Sequence, residues 1–217
     1  HLRYHVRNPV SALHADIQPT DGSAGLDTLA ARAAGSGFVP GTKDMLFSLH
    51  EPDTEWDIYA GPAVPDGERR LLVGEPEWQY SPAVSPDGKY FAYVSRETGV
   101  DQVFLKRYPD GSGKWQVSIE GGQWPQWNAA GNRLVYARGD DIVEVAVKTS
   151  DPPELGRPRL LFERGRTGVG IRFGWNPHFA MTGDGERFYF FQSGEENDEL
   201  RTTMVLYENW TRAFEDE

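Results

Sequence analysis

Apolar residues come in short runs along this chain, separated by turn-forming Gly, Pro, Asp and Ser or by charged residues. In "KYFAYVS" (Lys89 to Ser95), Tyr90, Ala92 and Val94 alternate with Phe91, Tyr93 and Ser95, so both faces carry apolar groups. That pattern predicts a strand packed between neighbouring sheets rather than one facing water. The runs "DMLFSL", "NRLVYAR" and "ERFYFFQ" read the same way. Helical patterning is thin. Only "LDTLAARAAG" (Leu26 to Gly35) and the terminal "ENWTRAFEDE" have the makings of short helices, and the first reads equally well as a loop or a strand end.

The runs recur. Asp-Gly pairs stand at Asp21-Gly22, Asp66-Gly67 and Asp110-Gly111, 45 and 44 residues apart. The stretches "LHADIQ", "DIYAGPAV" and "DQVFLKRY" precede them. A second series, Gly41, Gly88, Gly131 and Gly185, precedes the apolar runs at spacings of 47, 43 and 54. One full period, from Ser81 to Ile119, reads strand, tight turn, strand, loop, strand, Asp-Gly turn, strand. Four antiparallel strands repeated about every 45 residues predict an all-β chain of β-propeller blades. The approximate blades are 1–37 (partial), 38–77, 78–121, 122–165 and 166–217, one propeller region of about five blades or a fragment of a larger ring. In Ser85-Pro86-Asp87-Gly88, Pro86 sets φ, the Asp87 carboxylate can accept backbone N–H bonds, and Gly88 takes positive φ without a Cβ clash. Gly131 and Gly185 keep the glycine where the preceding residues vary, so backbone conformation is the common requirement.

These residues carry a family likeness. Ser85-Pro86-Asp87-Gly88 followed by "KYFAYVSRETGVDQVFLKRYPDG" resembles the Pro-Asp variety of WD-like repeat, the TolB-like type. "KWQVSIEGGQWPQW", "GNRLVYARGDDIVEVAV", "GRPRLLFE" and "MVLYENW" follow in the order found in the C-terminal propeller region of many bacterial membrane-bound serine/threonine kinases. The likeness runs from about Phe38 to Trp210. It implies a propeller of six or more blades, bacterial and periplasmic or otherwise extracytoplasmic, serving as the sensor or interaction part of a larger protein. The chain itself has neither a Gly-rich phosphate loop before a β3-type Lys nor a His-Arg-Asp motif.

Composition narrows the chemistry. Thirty-three Asp+Glu against 22 Lys+Arg give a net charge of −11, which disfavours nucleic acid and anionic membranes as partners. No apolar run approaches the roughly 18 residues of a membrane span. The absence of Cys removes thiol catalysis, disulfides and thiolate metal sites. No Gly-x-Ser-x-Gly occurs, and Gly111-Ser112-Gly113-Lys114 lacks the Walker spacing and reads as a turn. The acidic runs Glu195 to Glu199 and Glu215 to Glu217 read as solvated loop and tail, and Arg138-Gly139-Asp140 as a tight connection. No metal-ligating set stands out among His1, His5, His14, His50 and His178. No cofactor is called for. A Ca²⁺ ion on channel carboxylates or carbonyls, as in some propellers, is the one metal left open.

The aromatic set is the best functional signal. Trp124-Pro125-Gln126-Trp127 and Trp175-Asn176-Pro177-His178 align on their prolines with Tyr80-Ser81-Pro82-Ala83, at the start of successive innermost strands. Tyr80, Trp124, Gln126, Trp127, Trp175 and His178 are therefore the candidates for binding a protein, a peptide or a small ligand at the mouth of the channel. For the aromatics, packing between blades is the favoured role, because Trp is commonly highly buried, and ligand binding is the other. The sequence thus predicts a noncatalytic scaffold. The alternative is a carboxylate-dependent glycan hydrolase or lyase with a propeller core, for which Glu75 and Glu77 are the nearest acids and which needs a carboxyl pair with raised pKa.

Overall fold

The computed structural model describes residues 2–7, 14–19, 27–31, 33–64, 67–163, 179–196 and 199–208, with side chains over 37–64, 67–163 and 179–190. Among the described residues every regular element is a β-strand, and no helix is long and apolar enough to cross a membrane. The chain divides into two units, His1–Gln116 and Val117–Glu217.

The first unit holds three antiparallel meanders. One is β1 (Leu2–Arg7), β2 (His14–Pro19) and β3 (Asp27–Ala31). The second is β4 (Ala33–Phe38), β5 (Asp44–Glu51), β6 (Glu55–Pro62) and β7 (Arg70–Val73), and the third is β8 (Gln79–Val84), β9 (Tyr90–Ser95), β10 (Gln102–Arg107) and β11 (Trp115–Gln116). The second unit has a meander of β12 (Gln123–Trp127), β13 (Arg133–Arg138) and β14 (Asp141–Lys148). Both β15 (Glu154–Leu155) and β16 (Arg159–Phe162) pair with β14. A further sheet follows of β17 (Phe179–Met181), β18 (Arg187–Glu196) and β19 (Glu199–Glu208). Within the stretch of helical composition, Leu26 to Gly35, the described residues fall on β3 and β4, because their backbone is drawn into ladders with β2 and β5. The second helix candidate lies almost entirely outside the described residues.

One turn is built four times. The N–H of Val39, Ser85, Asn128 and Thr182 donates to the carbonyl five residues on, at 2.8–3.1 Å. Within each, a second bond closes the tight turn: Thr42 to Val39, Gly88 to Ser85, Gly131 to Asn128 and Gly185 to Thr182. Gly88, Gly131 and Gly185 have φ of 71°, 69° and 79°, the left-handed region that a Cβ disfavours. In the first turn Gly41 (φ 74°) takes the strain one position earlier, after Pro40, in the manner of a type II turn. The leading side chain completes the device. Ser85 Oγ accepts from Tyr90 N at 3.0 Å, Asn128 Oδ1 from Arg133 N at 3.0 Å, and Thr182 Oγ1 from Arg187 N at 3.1 Å. Three different residues thus supply one acceptor, which is why sequence identity decays across the repeats while the turn persists.

The middle strands carry the core. All six residues of β9 are buried. In the first unit Leu46, Ile58 and Ala60 pack with Phe91, Tyr93 and Phe104. In the second, Trp124, Val135, Ile142, Leu161 and Phe162 pack with Phe179, Phe188 and Phe190, the Phe162 and Phe188 rings meeting edge-on at 5.0 Å. Burying each such side chain contributes about 1.5–3 kcal/mol.

Candidate functional site

The two proline-aligned segments among the described residues share a distortion. On β8 the ladder with β9 slips between Tyr80 and Ala83, and on β12 the ladder with β13 slips between Gln123 and Gln126. Ser81-Pro82 and Trp124-Pro125 each supply two residues opposite one, Tyr93 and Tyr136 respectively. Ser81 and Trp124 have φ of 50° and 51°, a strained conformation for residues that are not glycine. Such a bulge bends and twists the strand, and so re-aims the side chains that flank it.

The flanking side chains end in different places. Tyr80 is 7% exposed and Trp124 3%, the latter inside the aromatic core of the second unit. Gln126 donates from Nε2 to the carbonyl of Phe179 at 2.9 Å, tying β12 to β17. Trp127 is half-buried. Trp175 and His178 lie outside the described residues. Asp87 holds its own turn: Oδ1 accepts from Ser85 Oγ at 2.6 Å and from Lys89 N at 3.1 Å.

The acids divide by environment. Glu75, in the loop between β7 and β8, accepts from Lys106 Nζ at 3.1 Å and from Lys114 Nζ, which also binds Glu97. Burial alone would raise the Glu75 pKa, but its bonds to Lys114, Glu97 and Lys106 outweigh that and hold it at about 2. The Lys114 ammonium lies 4.8 Å from the centre of the Phe104 ring, and its pKa is raised: burial works against the charge, and Glu75 and Glu97 more than offset it. A carboxylate so held does not serve as a general acid near neutral pH. Glu77 is exposed, with φ of 73°.

A second group sits on the hairpin of β5 and β6. Asp57 is 3% exposed, and its Oδ2 accepts from Thr54 Oγ1 at 2.5 Å. Burial pushes the Asp57 carboxyl up, the Thr54 bond opposes this, and the charge of Glu51 adds to it. The Tyr59 hydroxyl donates to Glu51 Oε1 at 3.0 Å, and burial together with that partner raises it to about 12. Neither this group nor the Glu75 quartet follows from sequence reasoning. The available signal was a charge at a core-facing strand position: Lys106 within "QVFLKR" and Asp57 within "EWDIYA". Among the described residues no group of three or more His, Asp or Glu side chains is placed to hold a metal ion.

No protein-family model and no curated protein sequence matches this chain. Solved structures do resemble it. TolB from Acinetobacter baumannii matches over 96% of this chain with a TM-score of 0.66 at 15% identity. A chain of the nidogen/laminin complex matches over 97% with a TM-score of 0.63 at 11% identity. Oligogalacturonate lyase in complex with manganese matches over 91% with a TM-score of 0.58 at 12% identity. This chain spans 50% of the TolB chain, 74% of the nidogen/laminin chain and 54% of the lyase. At such identities the likeness speaks for architecture and not for activity. The described residues are all-β, built of antiparallel sheets of three to five strands, and the fold is that of a β-propeller similar to TolB.

Proposed function

We propose that this chain is a noncatalytic propeller scaffold, the interaction part of a larger extracytoplasmic bacterial protein, and that the leading ends of its inner strands contact a protein or peptide partner. The observation that carries this reading is the fate of Glu75. The nearest sequence candidate for acid catalysis is neutralised by two lysines and held ionised, while Trp127 is only half-buried. Trp is strongly enriched where proteins anchor one another. One structural neighbour is a chain of a nidogen/laminin complex, a fold of this kind seen with a protein partner.

The test is capture by photo-crosslinking. A photoreactive phenylalanine analogue at position 127 is expected to trap a defined protein from a bacterial envelope extract, and excess wild-type chain should suppress the product. As a competitor Trp127→Ala should suppress the product at least tenfold less well than wild type, with a melting temperature within a few degrees of it. Equal suppression by wild type and Trp127→Ala would remove the reading.

A glycan hydrolase or lyase is the second reading, and Asp57 favours it, being a carboxyl with raised pKa close to Glu51. The burial of Asp57 weighs against it, since a catalytic acid must reach its substrate. Turnover of oligogalacturonate or another acidic glycan that Asp57→Asn abolishes would establish the enzyme reading over the scaffold.

A further inference from the structure

Three side-chain atoms of the first unit, Ser48 Oγ, Gln79 Oε1 and the Tyr93 hydroxyl, are buried without a hydrogen-bond partner. All three residues are wholly inaccessible. Leaving one such group unsatisfied is costly, so three in one neighbourhood call for a cause.

The register places them in one layer. Ser48 lies opposite Ile58 and two residues beyond Leu46, so it shares the face of β5 and β6 that packs on Phe91, Tyr93 and Phe104. Gln79 pairs with Ser95, two residues beyond Tyr93, so it lies on the same face of its sheet as Tyr93. Both β5 and β6 pack against β8. The two hydroxyls and the amide oxygen therefore all belong to the space between these sheets, at the end remote from the Gly41 and Gly88 turns.

The orientation of the Gln79 amide is set by its other half. Nε2 donates to the carbonyls of Pro76 at 3.1 Å and Glu77 at 2.8 Å, so the nitrogen must face the loop and Oε1 must face away from it. Oε1 can only accept, whereas each hydroxyl can donate and accept. A water molecule supplies two donors and two acceptors and is small enough for such a layer.

We propose that the layer between the β4–β7 and β8–β11 sheets contains a buried water site, in which water donates to Gln79 Oε1 and bonds the hydroxyls of Ser48 and Tyr93. The site has a consequence at the surface. By fixing the Gln79 amide, the water holds the carbonyls of Pro76 and Glu77, and with them the left-handed Glu77 and the loop that carries Glu75 and Trp78. Gln79 is thereby a positioning residue for that loop.

Oxygen-17 magnetic relaxation dispersion on the intact chain tests the site, because it counts waters that stay bound longer than the molecule takes to tumble. The amplitude is expected to fall in both Ser48→Ala and Tyr93→Phe. Each variant should also unfold at a lower temperature, and the double variant should fall by less than the sum, because both lose the same water. Amide exchange at Glu77 and Trp78 should quicken in both. An unchanged amplitude in both variants overturns the proposal, and the amplitude decides if the melting shifts disagree with it. Should neither variant fold, a high-resolution crystal structure of the wild-type chain decides. Water density within hydrogen-bond reach of Gln79 Oε1 supports the site, and a direct protein donor to that oxygen, or no density there, overturns it.

Discussion

Glu77 and Gly121 stand two residues before Gln79 and Gln123, which begin β8 and β12, and both have positive φ, 73° and 94°. One blade uses glycine where the other strains a glutamate. Relief of left-handed strain predicts that Glu77→Gly raises stability, by up to ~1 kcal/mol once the greater freedom of glycine in the unfolded chain is subtracted. Gly121→Ala should lower it by about 1–2 kcal/mol. Urea titration of both variants checks the pair. Two of the perturbed acids, Glu75 and Asp57, give opposite pH signatures. Glu75 titrates at about 2 in the folded chain against an ordinary 4.5, so its contribution is fully present above 4.5 and is lost as pH falls toward 2. Glu75→Gln should therefore flatten the fall in stability over that window. Asp57 is shifted upward, so the folded chain holds its proton more tightly, and stability declines as pH rises through the ordinary value of 3.8 toward the raised one. Asp57→Asn should be more stable than wild type at pH 7 and lose that advantage below pH 4, as thermal melts across pH would show.

At the scale of the element, the repeated turn and the bulged inner strand matter most. Ser85→Ala removes the acceptor for Tyr90 N and the donor to Asp87, and should cost about 1–2 kcal/mol. Gly111→Ala is expected to cost more than any exposed-loop change. A Cβ there would sit 2.6 Å from the Leu72 carbonyl oxygen, and its φ is 67°. Equilibrium unfolding of the two variants ranks them. The bulge decides between the two roles open to the inner-strand aromatics. It lets Trp124 turn into the core of its own unit, so Trp124→Ala should cost roughly 3–5 kcal/mol, the range for emptying a packed aromatic site. The partly covered Trp127 should cost far less. A ligand role for both at once is therefore not what their burial supports.

For the whole molecule, burial orders the strands. Amide exchange should be slowest in β9 and the middle of β13, where side chains are buried almost throughout, and fastest in the two-residue strands β11 and β15. Exchange mapped by mass spectrometry checks the order. Charge sets a second global property: with a pI near 4.9, self-repulsion is least around pH 5, and turbidity should peak there. Much of the fold was legible in advance. Alternating apolar runs punctuated by Gly88, Gly131 and Gly185 determine strands, turns and their period, because strand periodicity and positive φ are local requirements written into local residues. The chain could also exclude thiol chemistry outright. The bulge that turns Trp124 inward was not legible, nor the grip of Lys106 and Lys114 on Glu75, nor the polar layer of Ser48, Gln79 and Tyr93. Those depend on which strand faces which across a sheet interface, and on a one-residue slip that re-aims neighbouring side chains. Distance in sequence hides such contacts, and only packing in three dimensions converts a charge into an ion pair or an aromatic into core.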